Sequence, residues 1–388
     1  MPFYVKLGKV PKKRHITFYK GDGKSLYREE LFSTKGFSGI YSNKYHLYMP
    51  PQVEAIKEIF PFEDNSWKDA PLQYYHFVTG KKKGSGNFLS ARNVFLKNAH
   101  CSIATAEITE DTDLFYRNSY SHELLFIHYG EGELLSEYGR LQLNQWDYVV
   151  IPKGTTYQLK FNDYSNVKIL VIESDSPYEI PRHFRNEYGQ LREDAPYYER
   201  DFGVPNYMEP FDALGNFQLI IKVANRYFEY QLPHHPFDVV GWDGFLYPYT
   251  FNIKEYSPKV AKIHLPPPIH LLFETDHFVV CNFVPRLYDF HPEAIPAPYY
   301  HSNVDSDEVL YYVHGDFMSR TGVTEGSITL HPMGIPHGPQ PGKTEASIGK
   351  KETEEYAIMI DTFEPLEVTQ NVKETMVDEY SQSWLENK

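Results

Sequence analysis

Three side chains in the C-terminal half of this sequence carry donor atoms at a spacing that can hold a metal ion: His301, Glu308 and His337. Two imidazoles and one carboxylate cover one face of a divalent cation and leave the opposite face open. Open positions on a redox metal are what chemistry with dioxygen requires. The chain as a whole is acidic, with a formal net charge of −14. A dication on this ligand set keeps a charge near +1, by the arithmetic of one carboxylate against a bound dication. That local charge offsets the long-range repulsion of an acidic substrate.

The elements around these residues must bring them together. Tyr299, Tyr300 and His301 end one expected strand. Ser302 to Asp307 is rich in Ser, Asn and Asp, which is turn chemistry. Glu308 opens the next strand, Val309 to His314, so a strand–turn–strand sets His301 beside Glu308 at one end of a barrel. Pro332 and Gly334 make a second tight turn, proline by fixing φ and glycine by permitting φ > 0. Pro336 stiffens the approach to His337, and His331 is expected beside the metal without binding it. Tyr288, Tyr299, Tyr300, Tyr312 and Phe317 are candidate walls of the pocket, two or three of them touching a ligand. Arg286 and Arg320 are candidates for a substrate carboxylate; the plainer role of each is a solvated surface charge. His264, just before Leu265-Pro266-Pro267-Pro268, reads from its neighbours alone as a loop histidine.

The remainder reads as mainly β. With 32 Tyr and 26 Phe, and 28 Pro and 24 Gly to interrupt it, the composition leans to pleated sheet. Between 102 and 174, strands are expected at Leu124–Tyr129, Glu133–Tyr138, Arg140–Leu143, Tyr148–Ile151, Tyr157–Phe161 and Val167–Glu173, parted by Gly, Asn and Pro turns. This stretch looks like a diverged copy of the C-terminal one. Glu123 precedes Gly130 as Glu308 precedes Gly315, and Pro152-Lys153-Gly154 answers Pro332-Met333-Gly334. Asn118, Tyr120 and Tyr157 stand where the second copy has its histidines or their neighbours, so this barrel is expected to be degenerate, metal-free and structural. The expected division is residues 1–200, with the degenerate barrel, and 201–388, with the catalytic one. A short helix is expected at Gln52–Phe60, an exposed loop at Lys81–Gly86 and a short helix near Tyr380–Leu385.

Several classes are excluded or disfavoured. Net negative charge without a basic stripe argues against nucleic acid. Two cysteines, Cys101 and Cys281, make no disulfide framework and fit a reducing compartment. No apolar run follows the basic N-terminal residues, and none approaches a membrane span. The expectation is a soluble, cytoplasmic protein with no membrane partner.

The spacing His301–Glu308–Gly315 and Gly326–Pro332–Gly334–His337 resembles the two motifs of the cupin family, with Asn303 where many cupins carry a further histidine. The implied fold is a pair of cupin-type jelly-roll barrels. Pro298–Asn303, together with Leu330–Pro339, further resembles the homogentisate 1,2-dioxygenase family. Val240-Gly241-Trp242-Asp243-Gly244, Ile263-His264 and Asp378–Trp384 are similar to that family as well. The resemblance implies that His301, Glu308 and His337 bind Fe(II). It implies that His264 handles the phenolic proton and that His331 contacts a ring hydroxyl, with His264 or His331, both expected to be catalytic, accepting the proton, and that homogentisate and O2 give maleylacetoacetate in tyrosine and phenylalanine breakdown. It also implies a homo-oligomer, trimer or hexamer. Ser302 stands where family members carry Arg, and Phe317 where they carry Tyr, so the substrate contacts at Tyr300, Phe317 and His331 bear on specificity. The alternatives are cleavage of another dihydroxy aromatic, of gentisate or hydroquinone type, and a non-catalytic metal-binding bicupin or cupin isomerase.

Overall fold

The computed structural model describes residues 3–61, 65–111 and 113–385, with backbone alone at 60–61. An eight-stranded sheet forms the middle of the molecule, in the order Phe202–Gly203, Tyr249–Asn252, Asp147–Ile151, His122–Tyr129, Val167–Ser174, Cys101–Ile108, Arg92–Lys97 and Glu367–Val368. Side chains alternate across a strand. On His122–Tyr129, Leu125 and Ile127 enter a core with Leu141, Leu159 and Ile220, whereas Leu124 and Phe126 enter a second core with Val280, Val309 and Ile360. Burial on both faces explains why this strand reads as a nearly continuous apolar run.

One flanking layer is a seven-stranded sheet that packs on the middle sheet around the first core. It contains Gly132–Ser136, Gly139–Leu143, Thr156–Phe161, Phe115–Asn118, Leu214–Val223, Arg226–His234 and Ala55–Pro61. The other layer is a six-stranded sheet in the order Leu271–Glu274, Phe278–Phe283, Tyr356–Thr362, Asp307–His314, Ser327–His331 and Tyr75–Val78. Its Val309, Tyr311, Ile328, Leu330, Ile358 and Ile360 face the middle sheet. The alternate residues point away: Glu308 pairs with His331 on one side and Asp361 on the other, which sets the three in one row on the far face. The molecule is thus mainly β, built as two cupin-type barrels.

The sheets are continuous across the boundary expected near residue 200. Tyr75–Val78 completes the C-terminal sheet, and Leu214–Val223, Arg226–His234 and Tyr249–Asn252 belong to the N-terminal ones. The helix expected at Gln52–Phe60 is instead the strand Ala55–Pro61, because Arg226–His234 offers it a partner distant in sequence. It lies at a sheet edge, where proline is tolerated. The tail forms a 3-10 turn at Asp378–Gln382. The Lys81–Gly86 loop is held at both ends: the Lys82 ammonium donates to the Asn371 carbonyl, and the Gly86 amide donates to the Thr109 hydroxyl while its carbonyl accepts from the Thr109 amide. Both cysteines are free and buried. No helix among the described residues is long and apolar enough to cross a membrane.

A buried charge cluster secures the four-stranded sheet of Val5–Gly8, Val239–Gly244, Tyr41–His46 and Arg28–Ser33. The Lys44 ammonium lies 2.8 Å from Glu30 and 3.0 Å from Glu137. His46 bonds Asp238 at 2.7 Å and Glu30 at 2.9 Å. Burial alone would lower the His46 pKa, but the two carboxylates outweigh it and raise it to about 9. A raised histidine pKa adds stability that is fully present below the unfolded value near 6.5 and is lost as pH rises through about 9. His46→Gln is expected to remove that pH dependence and to cost about 1.5–3 kcal/mol in acid. Denaturant unfolding of both proteins near pH 6 and above pH 9 checks it; parallel pH profiles would refute it.

Candidate metal centre

Backbone pairing brings the two sequence-distant histidines together. His301 and His337 exchange N–H···O bonds of 2.9 and 2.8 Å. The Gly334 amide donates to the Asn303 carbonyl at 2.6 Å, and Gly334 has φ of 73°, which its lack of a side chain permits. Asp307 ties the turns to the sheet by accepting from the Met333 amide at 2.8 Å and the Leu366 amide at 2.7 Å. Asn303, standing where other cupins have a histidine, contributes its backbone to this lock.

The ring orientations follow from hydrogen bonding. His301 Nδ1 lies 3.2 Å from the Tyr299 carbonyl, and His337 Nδ1 lies 3.1 Å from the Ile335 carbonyl. A carbonyl only accepts, so each Nδ1 carries a hydrogen and each Nε2 turns inward toward Glu308. Those Nε2 atoms lie 3.4 Å (His301) and 3.3 Å (His337) from Glu308 Oε2. With Nδ1 holding a ring hydrogen, each Nε2 can offer its lone pair to a cation beside Glu308. His337 Nε2 is buried with no hydrogen-bond partner. One donor atom from each of the three residues lies within 4.8 Å of the others. The set fits a divalent ion, with the half-buried His301 on the open side.

A further layer holds Glu308. His331 Nδ1 is 2.8 Å from Glu308 Oε1, and His331 Nε2 is 3.1 Å from the Tyr380 hydroxyl. Burial holds the His331 pKa down to about 4 against the pull of Glu308, so the ring is neutral. Its single hydrogen therefore sits on Nδ1 toward the carboxylate, and Tyr380 donates to Nε2. Burial pushes Glu308 up, but the three imidazoles of His301, His331 and His337 around it bring it well below the usual carboxylate range. Its neighbour Asp361 is pushed up to about 8, first by burial and then by facing Glu308. One ionised and one protonated carboxyl therefore share the row near neutral pH.

The other expected residues lie at varying distances. Tyr300 is exposed, with its ring over Gly338, where an added Cβ would come within 2.6 Å of it. Tyr299 is exposed as well, whereas Tyr288, Tyr312 and Phe317 are buried. Phe317 packs on Tyr312 at 4.8 Å between ring centroids. His264 is half-exposed, bonds Asp289 through Nδ1 at 3.1 Å and meets the Tyr299 ring edge-on at 5.2 Å. Tyr299 in turn meets His301 at 6.1 Å, so one aromatic ring separates His264 from the triad. Neither arginine is a solvated surface charge. Arg320 is 5% exposed, donates to the Gly338 carbonyl at 2.7 Å and lies over Trp384. Arg286 is half-buried over Phe283. Sequence reasoning missed Tyr380 and Asp361 as partners of the site. The C-terminal Tyr–Trp pair was the available signal for the first; only strand register shows the second.

In the N-terminal barrel a guanidinium occupies the carboxylate. Arg92 reaches Glu123 at 2.8 Å and Glu173 at 3.0 Å, while the Tyr157 hydroxyl donates to Glu123 at 2.7 Å and Asn118 to Glu173 at 2.9 Å. His122 is buried and accepts from the Lys153 amide at 3.3 Å, apart from this group.

The double barrel and the His–Glu–His face define a bicupin with a candidate metal centre in its C-terminal half. The chain belongs to the homogentisate 1,2-dioxygenase family: residues 66–253 match the model of that enzyme's N-terminal part and 273–388 that of its C-terminal part. It is 42% identical over 387 residues, 99% of both chains, to a Saccharolobus solfataricus protein named "Putative dioxygenase SSO1533". It is 26% identical to the homogentisate 1,2-dioxygenases of Bradyrhizobium diazoefficiens and Caenorhabditis elegans. Those matches take in 74% and 79% of this chain but only 65% and 66% of the two enzymes. Among solved structures, a cupin 2 conserved barrel domain protein from Leptotrichia buccalis aligns at 10% identity and a TM-score of 0.33, over 79% of this chain and 100% of the other.

His331→Asn is expected to weaken metal binding about 10–100-fold although it leaves all three ligands in place. Tyr380→Phe is expected to have a smaller effect in the same direction. Competition against a chromophoric chelator measures both; unchanged affinity in His331→Asn would remove the orienting role.

Proposed function

We propose that this chain is an Fe(II)-dependent ring-cleaving dioxygenase, with homogentisate as its first candidate substrate and maleylacetoacetate as the product. The observation that carries the reading is the one-sided ligand set, His301, Glu308 and His337, in a chain of this family. Fe(II) held there supplies a redox-active centre with open positions at which an electron-rich ring and dioxygen exchange electrons. The side chains do the remaining work. Glu308, fixed by His331, limits the charge of the centre to about +1, which favours an anionic ring substrate. Asp289 accepts the Nδ1 hydrogen of His264 and leaves Nε2 free to take a phenolic proton. Tyr299 and Tyr300 stand exposed at the rim, placed to cover a bound ring and exclude water. His331, with both nitrogens engaged, acts as a positioning residue rather than the base.

A second reading, cleavage of a gentisate- or hydroquinone-type ring, is favoured by one observation. Phe317 puts a buried apolar ring where family members offer a hydroxyl. Oxygen uptake with homogentisate, gentisate and hydroquinone after anaerobic Fe(II) loading separates the two. Homogentisate turnover with a product absorbing as a ring-opened diketo acid is expected. Turnover of another compound alone would move the assignment to it, and no uptake with any would leave a metal-binding bicupin.

His264→Ala is expected to lower kcat by about 10²–10⁴-fold with iron content unchanged. An unaltered kcat in the iron-loaded variant would exclude it as the proton acceptor.

A further inference from the structure

A second group of metal-ligating side chains lies at the seam between the two barrels, remote in sequence from the triad. His100 sits in the turn between Arg92–Lys97 and Cys101–Ile108, and Asp175 follows Val167–Ser174. His277 sits in the turn between Leu271–Glu274 and Phe278–Phe283 of the C-terminal sheet. One donor atom from each of the three lies within 4.8 Å of the others. We propose that His100, Asp175 and His277 form a second divalent-cation site, of zinc-like preference, that clips the N-terminal barrel to the C-terminal one.

The backbone holds each ligand in place. The Asp175 amide donates to the His100 carbonyl at 3.0 Å, and the Phe363 amide donates to the His277 carbonyl at 2.9 Å. Asn98 anchors the His100 turn by accepting from the His100 and Cys101 amides, each at 2.9 Å. Across the seam, the Asp276 amide donates to the Ser176 hydroxyl at 3.1 Å, and the Asn98 side-chain amide donates to the Glu364 carbonyl at 3.1 Å. The backbone of three separate segments is therefore brought together before any ion arrives, and the His277 ring is the part left to reorient on binding.

The donor chemistry suits a borderline cation. His100 Nδ1 lies 2.7 Å from Asp175 Oδ2, and His100 Nε2 lies 3.2 Å from Glu364 Oε1. Glu364 thus takes the Nε2 hydrogen and turns Nδ1 toward Asp175, the carboxylate–histidine pattern that orients metal-bound imidazoles. Asp175 Oδ1 is buried without a hydrogen-bond partner, 3.8 Å from His277 Nε2. Two imidazoles and one carboxylate with room for solvent match zinc, cobalt or nickel rather than calcium or magnesium. The two rings are stacked, with centroids 3.5 Å apart and 6° between planes. Stacked rings hold their lone pairs side by side, so loading an ion turns His277 out of the stack, and the ion replaces the proton shared by His100 and Asp175. Binding therefore releases a proton and weakens in acid. Lys153, whose ammonium donates to the Asp175 carbonyl at 2.7 Å, is the opposing cation at the site.

The test separates this site from the triad by removing the triad. The full-length variant carrying His301→Ala, Glu308→Ala and His337→Ala is titrated with Co2+ and followed by visible absorption, then with Zn2+ and followed by thermal melting. One equivalent of Co2+ and a raised melting temperature with Zn2+ are expected, and adding His277→Ala is expected to abolish both. Should that combined variant not fold, the otherwise native chain is compared with its His277→Gln form, where bound Co2+ is expected to fall from two equivalents to one. Failure of the triad variant to take up Co2+, or equal uptake with and without His277, overturns the proposal and leaves a proton-bound histidine stack. Ring-opening activity plays no part in these readouts, so they stand or fall apart from the function proposed above.

Discussion

Glu308 is an anion held out of water on a sheet face, and the architecture around it answers that single constraint. A buried carboxylate with too few partners would take up a proton or unfold its surroundings. Here three imidazoles converge on it, one donating through Nδ1 and two presenting Nε2. The middle strand pair fixes Glu308 opposite His331, and the exchanged backbone bonds of His301 and His337 bring in the other two rings. The two Nε2 atoms and Glu308 Oε2 converge on one point, where a divalent cation would find three donors. This is why the arrangement reads as a metal centre and not as an ordinary polar core.

The two barrels solve the same problem in different ways. Glu123 occupies in the first barrel the place that Glu308 holds in the second, yet its counter-charge is the Arg92 guanidinium, which also bridges to Glu173. A guanidinium is always charged and saturates a carboxylate in a fixed geometry. It builds a rigid ion pair with no open coordination position. The middle sheet, buried on both faces, is the support on which the six-stranded sheet with Glu308, His331 and Asp361 packs. The segments exchanged between halves, notably Tyr75–Val78, make that support covalently continuous with the site.

Much of this was legible from residue order, and what was not shares one physical cause. The strands from His122 to Ser174 fall within a residue or two of their expected bounds, because Gly and Pro turns punctuate an apolar pattern set by local geometry. The triad was legible because its turns, Ser302–Asp307 and Pro332–Gly334, are local too. The segment Ala55–Pro61 is a strand rather than the expected helix because it pairs with a strand far along the chain. Tyr380 behind His331, Asp361 beside Glu308, and the Arg92 pair with Glu123 are likewise contacts between distant segments. So is the group of His100, Asp175 and His277. The burial of Arg320 belongs with them: its charge gave the appearance of a surface residue, whereas the Gly338 carbonyl and the Trp384 ring hold it inside.

The central claim is tested most directly by anomalous diffraction at the iron absorption edge, from crystals grown anaerobically with Fe(II). The account predicts an iron peak bonded to His301 Nε2, Glu308 and His337 Nε2, with its remaining positions facing solvent beside Tyr299 and Tyr300. Crystals showing those three side chains without iron between them, while iron binds elsewhere or not at all, would contradict it.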